Sequence, residues 1–248
     1  MSGTAGQLWL ELAPHSGGPP NRLLVFLHGA GSTPEAIVPL ALAWQYKFPR
    51  ALALIMQGLH EGQTGVGLDW FDAHGTGRDQ HDDAARAASI VSERIDSVQR
   101  RLGLSAQLTV LVGFSQGATL ALEMARLDRP CASIVVAHAG RLLTPLAPGT
   151  HIAPTIHLLH GELDSVVLAQ HSIRAFRALR DAGGRVSLDI LTDGIHSIGQ
   201  DMVNVGTSRA LQTLYAGRKR IEVDQYGATL TISTDSLPAP PSGDDNLH

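Results

Sequence analysis

Hydrophobic residues fall into short continuous runs that alternate with longer amphipathic segments. A continuous run predicts a strand that is covered on both faces, because a half-exposed strand would alternate apolar and polar residues. We predict strands at Leu8–Leu12, Leu23–Leu27, Ala51–Met56, Leu108–Val112, Ser133–Ala137, Thr155–Leu159 and Val186–Leu191.

The segments between these runs have helical periodicity. From about Asp82 to Leu102 the apolar residues recur at three- and four-residue steps and form one stripe. Further helices are predicted from Pro34 to Tyr46, from the end of the fourth run to Leu127, from Val166 to Asp181, and from beyond His196 to Tyr215. Strands that alternate with helices predict a mostly parallel central sheet with helices on both faces.

The pattern changes after Arg220. Apolar residues there alternate with polar ones on both sides of Tyr226-Gly227, which predicts an amphipathic β-hairpin. We therefore divide the chain into a main α/β domain at 1–217, a C-terminal hairpin extension at 218–236 and a disordered tail at 237–248. We favour covering of a sheet edge over self-association as the role of the hairpin.

Composition and charge limit the classes of protein to which this chain can belong. With 248 residues, 44% of them hydrophobic, the chain can bury one sizeable core. The net charge is −4 and the basic residues are scattered, which argues against a nucleic-acid partner. No signal peptide and no run of about 20 apolar residues is evident, so we expect a cytoplasmic protein without a membrane span. The one cysteine, Cys131, predicts a buried structural thiol.

The fourth strand leads directly into Gly113-Phe114-Ser115-Gln116-Gly117. Gly-x-Ser-x-Gly between a strand and a helix is the pattern of a nucleophile elbow, in which the serine hydroxyl projects from a sharp turn. Bulky neighbours would clash in such a turn, which explains the two glycines. The sequence therefore predicts Ser115 as a nucleophile.

A serine hydroxyl needs a base, and the base needs an orienting carboxylate. Asp164 follows the Thr155–Leu159 strand and His196 follows the Val186–Leu191 strand. The order Ser, Asp, His and the positions at strand ends both suit a catalytic triad. Glu162 is the alternative to Asp164 as the orienting acid.

Other histidines compete with His196, since the chain contains 12. We interpret His28, His157 and His160 as structural residues, and His138 precedes the expected position of the base. Residues three apart in a strand point to opposite faces, so His157 and His160 cannot easily share a metal ion. We predict no metal site.

Acyl transfer also needs donors for a tetrahedral oxyanion. Backbone N–H groups of Gln116, after the nucleophile, and Ala30, in the His28–Gly31 loop after an earlier strand, are the predicted donors. Trp70 lies in a long glycine-rich loop, and we predict that it forms a wall of the substrate site.

Five motifs in series resemble the bacterial phospholipase/carboxylesterase family, which includes small esterases and acyl-protein thioesterases. They begin at Phe26, Asp69, Gly113, Leu159 and Gly194. The resemblance implies an α/β-hydrolase fold and a serine hydrolase that acts on small-molecule esters of short acyl groups, or on thioesters. It also implies the same triad and oxyanion residues and an aromatic motif near the pocket at Trp70. Because the family often forms homodimers, the resemblance implies a homodimer here as well.

The expected function is a serine carboxylesterase for short- to medium-chain esters that needs no cofactor. An acyl thioesterase or lysophospholipase on the same triad is the alternative, and a non-catalytic binding protein is a third hypothesis. Two positions depart from the family, because Ala30 stands where many acyl-protein thioesterases carry leucine and Ala118 where many carry glycine. Dienelactone hydrolases share the fold but typically use cysteine as the nucleophile.

Overall fold

A computed structural model of the chain describes residues 8–63, 65–72 and 77–216, and the backbone of two strands near the C-terminus. The predicted tail at 237–248 lies outside the described residues. The strands are β1 Trp9–Leu12, β2 Arg22–Leu27, β3 Ala51–Met56, β4 His60–Glu61, β5 Leu68–Asp69, β6 Thr109–Phe114, β7 Ile134–His138, β8 Thr155–Gly161, β9 Val186–Leu191, β10 Arg220–Val223 and β11 Thr229–Ile232. The helices are α1 Val38–Lys47, α2 Arg78–Leu102, α3 Gln116–Met124, α4 Gln170–Asp181 and α5 Gln200–Tyr215.

Seven strands form one sheet in the order β1-β3-β2-β6-β7-β8-β9. Only β1 runs antiparallel to its neighbour in this sheet. The predicted mostly parallel α/β fold is therefore confirmed. After β2 the chain adds β3 on one side, and later adds β6 on the other side. This reversal creates a crevice at the carboxyl ends of β2 and β6, the position where open α/β sheets bind ligands.

Residues on the two faces of β2 pack against different helices. Leu23, Val25 and Leu27 belong to the same buried cluster as the predicted apolar stripe of α2. Phe26 makes an edge-to-face contact with Trp44 of α1, with ring centroids 6.2 Å apart. Because both faces are covered, the strand is apolar from Leu23 to Leu27.

Helix boundaries differ from the sequence predictions at four places. Helix α1 begins at Val38 rather than Pro34, because Glu35–Ile37 form a separate 3₁₀ turn. Helix α2 begins at Arg78, four residues before the predicted start, and α3 ends at Met124 rather than Leu127. Helix α4 begins at Gln170 rather than Val166. The residues before α4 form a turn, since the N–H groups of Val166 and Val167 both donate to the side chain of Asp164.

The chain separates into two compact units, residues 1–210 and residues 211–248. In the second unit β10 and β11 pair antiparallel, with Arg220 opposite Ile232 and Val223 opposite Thr229. The predicted domain limits and the role of this hairpin stay predictions. Within the described residues, no helix has the length and apolarity that crossing a membrane requires.

Gly117 sits where the first turn of α3 passes the end of β2. A Cβ atom there would lie 2.4 Å from the Leu27 carbonyl oxygen and 2.5 Å from the His28 carbonyl oxygen. We expect Gly117→Ala to lower the free energy of unfolding by about 1–3 kcal/mol, because the backbone must shift. Urea unfolding measures this loss. The control is Gly199→Ala, where a Cβ atom meets nothing within 4 Å; equal stability of both variants would contradict the prediction.

Candidate active site

Ser115 stands at the turn between β6 and α3. Its backbone has φ 54° and ψ −114°, a conformation that L residues rarely adopt. The turn is so tight that a Cβ atom at Gly113 would lie 2.4 Å from the Gly117 carbonyl oxygen. The Ser115 N–H donates to the carbonyl oxygen of His138 at 2.9 Å, which ties the turn to the next strand. The side chain of Ser115 is thereby presented at the carboxyl edge of the sheet.

The structure brings Ser115, His196 and Asp164 into one hydrogen-bonded chain. His196 Nε2 lies 3.1 Å from Ser115 Oγ, and His196 Nδ1 lies 2.7 Å from Asp164 Oδ2. With Nδ1 protonated, the imidazole donates to the carboxylate and its Nε2 can accept the serine proton. Residues separated by up to 81 positions in sequence therefore meet in the arrangement that activates a hydroxyl nucleophile.

Asp164 has a fully buried carboxylate. Its Oδ1 accepts hydrogen bonds from the N–H groups of Val166 and Val167 at 2.9 and 2.8 Å. Burial acts to raise the pKa of Asp164, but the hydrogen bonds from His196 and these two N–H groups outweigh it and lower the pKa below its usual value. The alternative acid, Glu162, is exposed, and His196 contacts Asp164 instead.

His160 and His157 make hydrogen bonds to residues other than Ser115, and His160 Nε2 also lies 3.3 Å from Asp164 Oδ2. His160 is buried, its Nε2 donates to the Val167 carbonyl oxygen at 2.6 Å, and its Nδ1 lies 2.7 Å from Ser172 Oγ. His157 Nδ1 lies 2.7 Å from Ser187 Oγ, and burial lowers the pKa of His157 to about 4. Neither imidazole is hydrogen-bonded to Ser115 Oγ.

The loop after β2 is held from the side by the segment at Asp69 and Trp70. The N–H of Gly31 donates to Asp69 Oδ1 at 2.7 Å, and the indole N–H of Trp70 donates to the His28 carbonyl oxygen at 2.8 Å. Burial lowers the pKa of His28, and its Nε2 accepts the N–H of Gly58 at 3.2 Å, a bond that requires Nε2 to carry no proton. These bonds fix both peptide groups that flank the Gly29–Ala30 unit.

The same segment also holds the first residue of α3. The amide oxygen of Gln116 accepts the Trp70 N–H at 2.9 Å, and its amide nitrogen donates to the Phe71 carbonyl oxygen at 2.8 Å. Asp69, Trp70 and Phe71 therefore connect the two backbone segments that carry Ala30 and Gln116. The role of Asp69 does not follow from the sequence, where the only signal is an acid beside two aromatic residues.

The predicted substrate wall at Trp70 needs correction. The Trp70 side chain has no exposed surface, and its ring lies against the His28 ring with centroids 4.8 Å apart. A tryptophan can line a substrate site only if part of it is exposed there. In this structure Trp70 supports the loop from behind, because its indole N–H needs a buried acceptor and the His28 carbonyl provides one.

A free thiol and a metal site are the other reactive groups that an active site could use. Cys131 is buried, and burial raises the pKa of its thiol to about 12, so it is not a second nucleophile. Across the described ranges there is no cluster of three or more His, Cys, Asp or Glu residues that could hold a metal ion.

A serine in a strand–turn–helix elbow, with an acid and a histidine after two later parallel strands, defines an α/β-hydrolase. The chain belongs to the phospholipase/carboxylesterase family, whose profile matches residues 14–208. It is thus a hydrolase of an esterase family.

Individual relatives agree with this assignment. The esterase YpfH of Escherichia coli is 36% identical over 183 residues, which cover 73% of this chain and 78% of that protein. The crystal structure of esterase PE8 superposes with a TM-score of 0.74 at 30% identity, covering 82% of this chain and 97% of that one. A carboxylesterase from Mesorhizobium loti shares the fold, with a TM-score of 0.71 at 19% identity over 82% of this chain and 93% of that one.

His138 lies directly behind the elbow and is completely buried. Neither of its ring nitrogens has a hydrogen-bond partner among the described residues. The ring packs near Gly206, where a Cβ atom would lie 3.3 Å from both the His138 and the Trp44 rings. Burial lowers the pKa of His138 to about 4, so the folded protein holds this imidazole neutral.

This burial predicts an acid-dependent loss of stability. His138 has a lower pKa in the folded than in the unfolded protein, so the unfolded state binds more protons as the pH falls below 6.5. Full stability is present above pH 6.5, and roughly 3 kcal/mol is lost as the pH falls to about 4. We expect His138→Phe to remove this part of the pH dependence, as measured by urea unfolding at several pH values. Replacement of the exposed His15 by Phe is the control, and an unchanged profile for His138→Phe would refute the assignment.

Proposed function

We propose that this protein is a serine carboxylesterase that hydrolyses short- to medium-chain carboxylic esters through an acyl-enzyme intermediate. The observation that carries the proposal is the continuous hydrogen-bonded chain from Asp164 through His196 to Ser115 at the carboxyl edge of the sheet. Membership of the phospholipase/carboxylesterase family supports the same reaction class.

In the first half of the reaction Ser115 Oγ attacks the ester carbonyl carbon while His196 Nε2 takes the hydroxyl proton. The carbonyl π bond breaks and its electrons form an oxyanion. When the oxyanion collapses, the bond to the alcohol oxygen breaks and His196 returns the proton to the departing alcohol. Asp164 stays ionised throughout, since its lowered pKa favours the carboxylate, and it stabilises the imidazolium that forms transiently.

The proposed oxyanion donors are the N–H groups of Ala30 and Gln116. Within the described part of the chain neither group has a hydrogen-bond acceptor, so both are open to a bound oxygen. Gln116 begins α3, where the helix dipole adds positive potential. Because the loop and the helix are tied together through Asp69, Trp70 and Phe71, these donors are positioned before the substrate arrives.

In the second half of the reaction a water molecule replaces the alcohol. His196 takes a proton from the water, whose oxygen attacks the acyl carbon, and the bond to Ser115 Oγ breaks with return of the proton to the serine. The acid product leaves and the free enzyme is restored. These steps use only side chains and backbone groups of the chain, so the proposed mechanism requires no cofactor.

An acyl thioesterase would use the same groups, and a comparison of oxygen esters with thioesters of one acyl group distinguishes the two activities. The cytoplasmic location and the homodimer also stay predictions.

Replacement of the nucleophile gives the direct test. We expect Ser115→Ala to lower kcat for a p-nitrophenyl butyrate substrate on the order of 10⁶-fold, since the covalent step is lost. It should also abolish labelling by a fluorophosphonate. Ser89→Ala, which removes an exposed hydroxyl on α2, is the control. Turnover by folded Ser115→Ala at a rate close to that of the wild type would rule out the proposed nucleophile.

Asp69 provides a separate test of the proposed oxyanion site. We expect Asp69→Ala to lower kcat about 10- to 100-fold with little change in KM, since a displaced Ala30 N–H affects the transition state more than substrate binding. Asp69→Asn keeps an acceptor for the Gly31 N–H and should recover most of the activity.

The matched control for Asp69 is Glu61→Ala, because Glu61 is an exposed acid of the neighbouring strand in the same short hairpin. Steady-state kinetics with p-nitrophenyl butyrate separates the two constants. A rise in KM at constant kcat for Asp69→Ala would show that Asp69 shapes substrate binding instead.

A further inference from the structure

A cavity of about 450 Å³ lies between α1 and the segment that joins β9 to α5. One wall is formed by Ile37, Leu40 and Ala43, and the facing wall by Ile198 and Val203. The volume falls within the range of small-molecule sites, about 300–1,000 Å³, and the walls are mainly apolar.

The inner end of this cavity is lined by residues that adjoin the nucleophile. Gly29, Phe114 and His196 line it there, and a Cβ atom on Gly29 would lie 3.4 Å from the Ser115 Cβ. The Phe114 ring packs against the His196 ring with centroids 5.0 Å apart. A group bound in the cavity would therefore be continuous with an acyl centre held on Ser115.

The proton path decides which half of an ester faces this cavity. During acyl transfer His196 Nε2 must reach the oxygen of the departing alcohol, so the alcohol extends from the reacting carbon on the His196 side. His196, Ser197 and Ile198 all line the cavity. Resting on the proposed function, we propose that the cavity binds the alcohol part of the substrate and selects esters of uncharged, apolar alcohols.

The charge of the cavity supports this substrate class. Among the described residues that line it, none is Asp, Glu, Lys or Arg. The charged groups that act on its lining residue His28 are the carboxylates of Asp69 and Glu35. The leaving group of a lysophospholipid is a phosphorylated alcohol. Its phosphate group would lose its hydrating water on entering the cavity, and no Lys or Arg side chain in the described lining of the cavity would replace that water. The cavity therefore disfavours lysophospholipids as substrates.

A series of butyrate esters tests the proposal on the wild-type protein. Methyl, butyl and cyclohexylmethyl butyrate and 1-butyryl-glycero-3-phosphocholine differ in the alcohol part alone, and proton release in a pH-stat follows their hydrolysis. The ratio kcat/KM covers the steps up to release of the alcohol, so it reports binding of the leaving group. We expect kcat/KM to rise about tenfold from methyl to cyclohexylmethyl butyrate, and the phosphocholine ester to be the poorest substrate.

Ala43→Phe fills the cavity, and Leu42→Phe is its matched control. Leu42 precedes Ala43 on α1, is 42% exposed and does not line the cavity. We expect Ala43→Phe to remove the tenfold preference for the cyclohexylmethyl ester. Leu42→Phe should keep the preference.

Methyl esters of acids from acetate to octanoate complete the test. If Ala43→Phe impairs the longer acids and leaves the alcohol series unchanged, the cavity holds the acyl chain and the proposal is overturned. Equal rates for the wild type on all four butyrates would also overturn it. Failure of the proposed function is distinguishable, because no ester would then be hydrolysed and Ser115 would not react with a fluorophosphonate.

Discussion

The tight contact between the turn at Ser115 and the end of β2 is the constraint on which the rest of the site depends. The chain reverses from β6 into α3 so sharply that Gly117 touches the Leu27 and His28 carbonyls. This contact brings the strained serine beside the loop that carries Ala30, and it does so without any polar side chain. The hydroxyl and both proposed oxyanion donors thus lie on two backbone segments that pack directly against each other.

Two buried carboxylates hold the segments next to this turn. Asp164 is held by the N–H groups of Val166 and Val167 and orients His196. Asp69 accepts the N–H of Gly31 and supports the other edge of the site. A buried carboxylate needs hydrogen-bond donors, and Asp164 accepts three hydrogen bonds while Asp69 accepts two. Both therefore hold neighbouring groups in fixed positions.

The cavity beside His196 adds a proposed binding site for the substrate to these groups. Its apolar walls come from α1 and α5, two helices that the chain places on either side of the site. The proposed triad is of a type common to many hydrolases, whereas the cavity walls are where related esterases can differ. Family membership accordingly fixes the bond that is cleaved more firmly than the molecule that carries it.

The sequence by itself determined the order of strands and helices and the sheet class, because continuous apolar runs and helical stripes are local patterns. It also identified Ser115, Asp164 and His196 as the candidate catalytic residues, because each follows a strand of a mostly parallel sheet. Only the tertiary structure decided that His196 contacts Asp164 rather than Glu162. It likewise decided that Trp70 is buried behind the site, because the long glycine-rich loop has no periodicity and its path depends on contacts with distant segments.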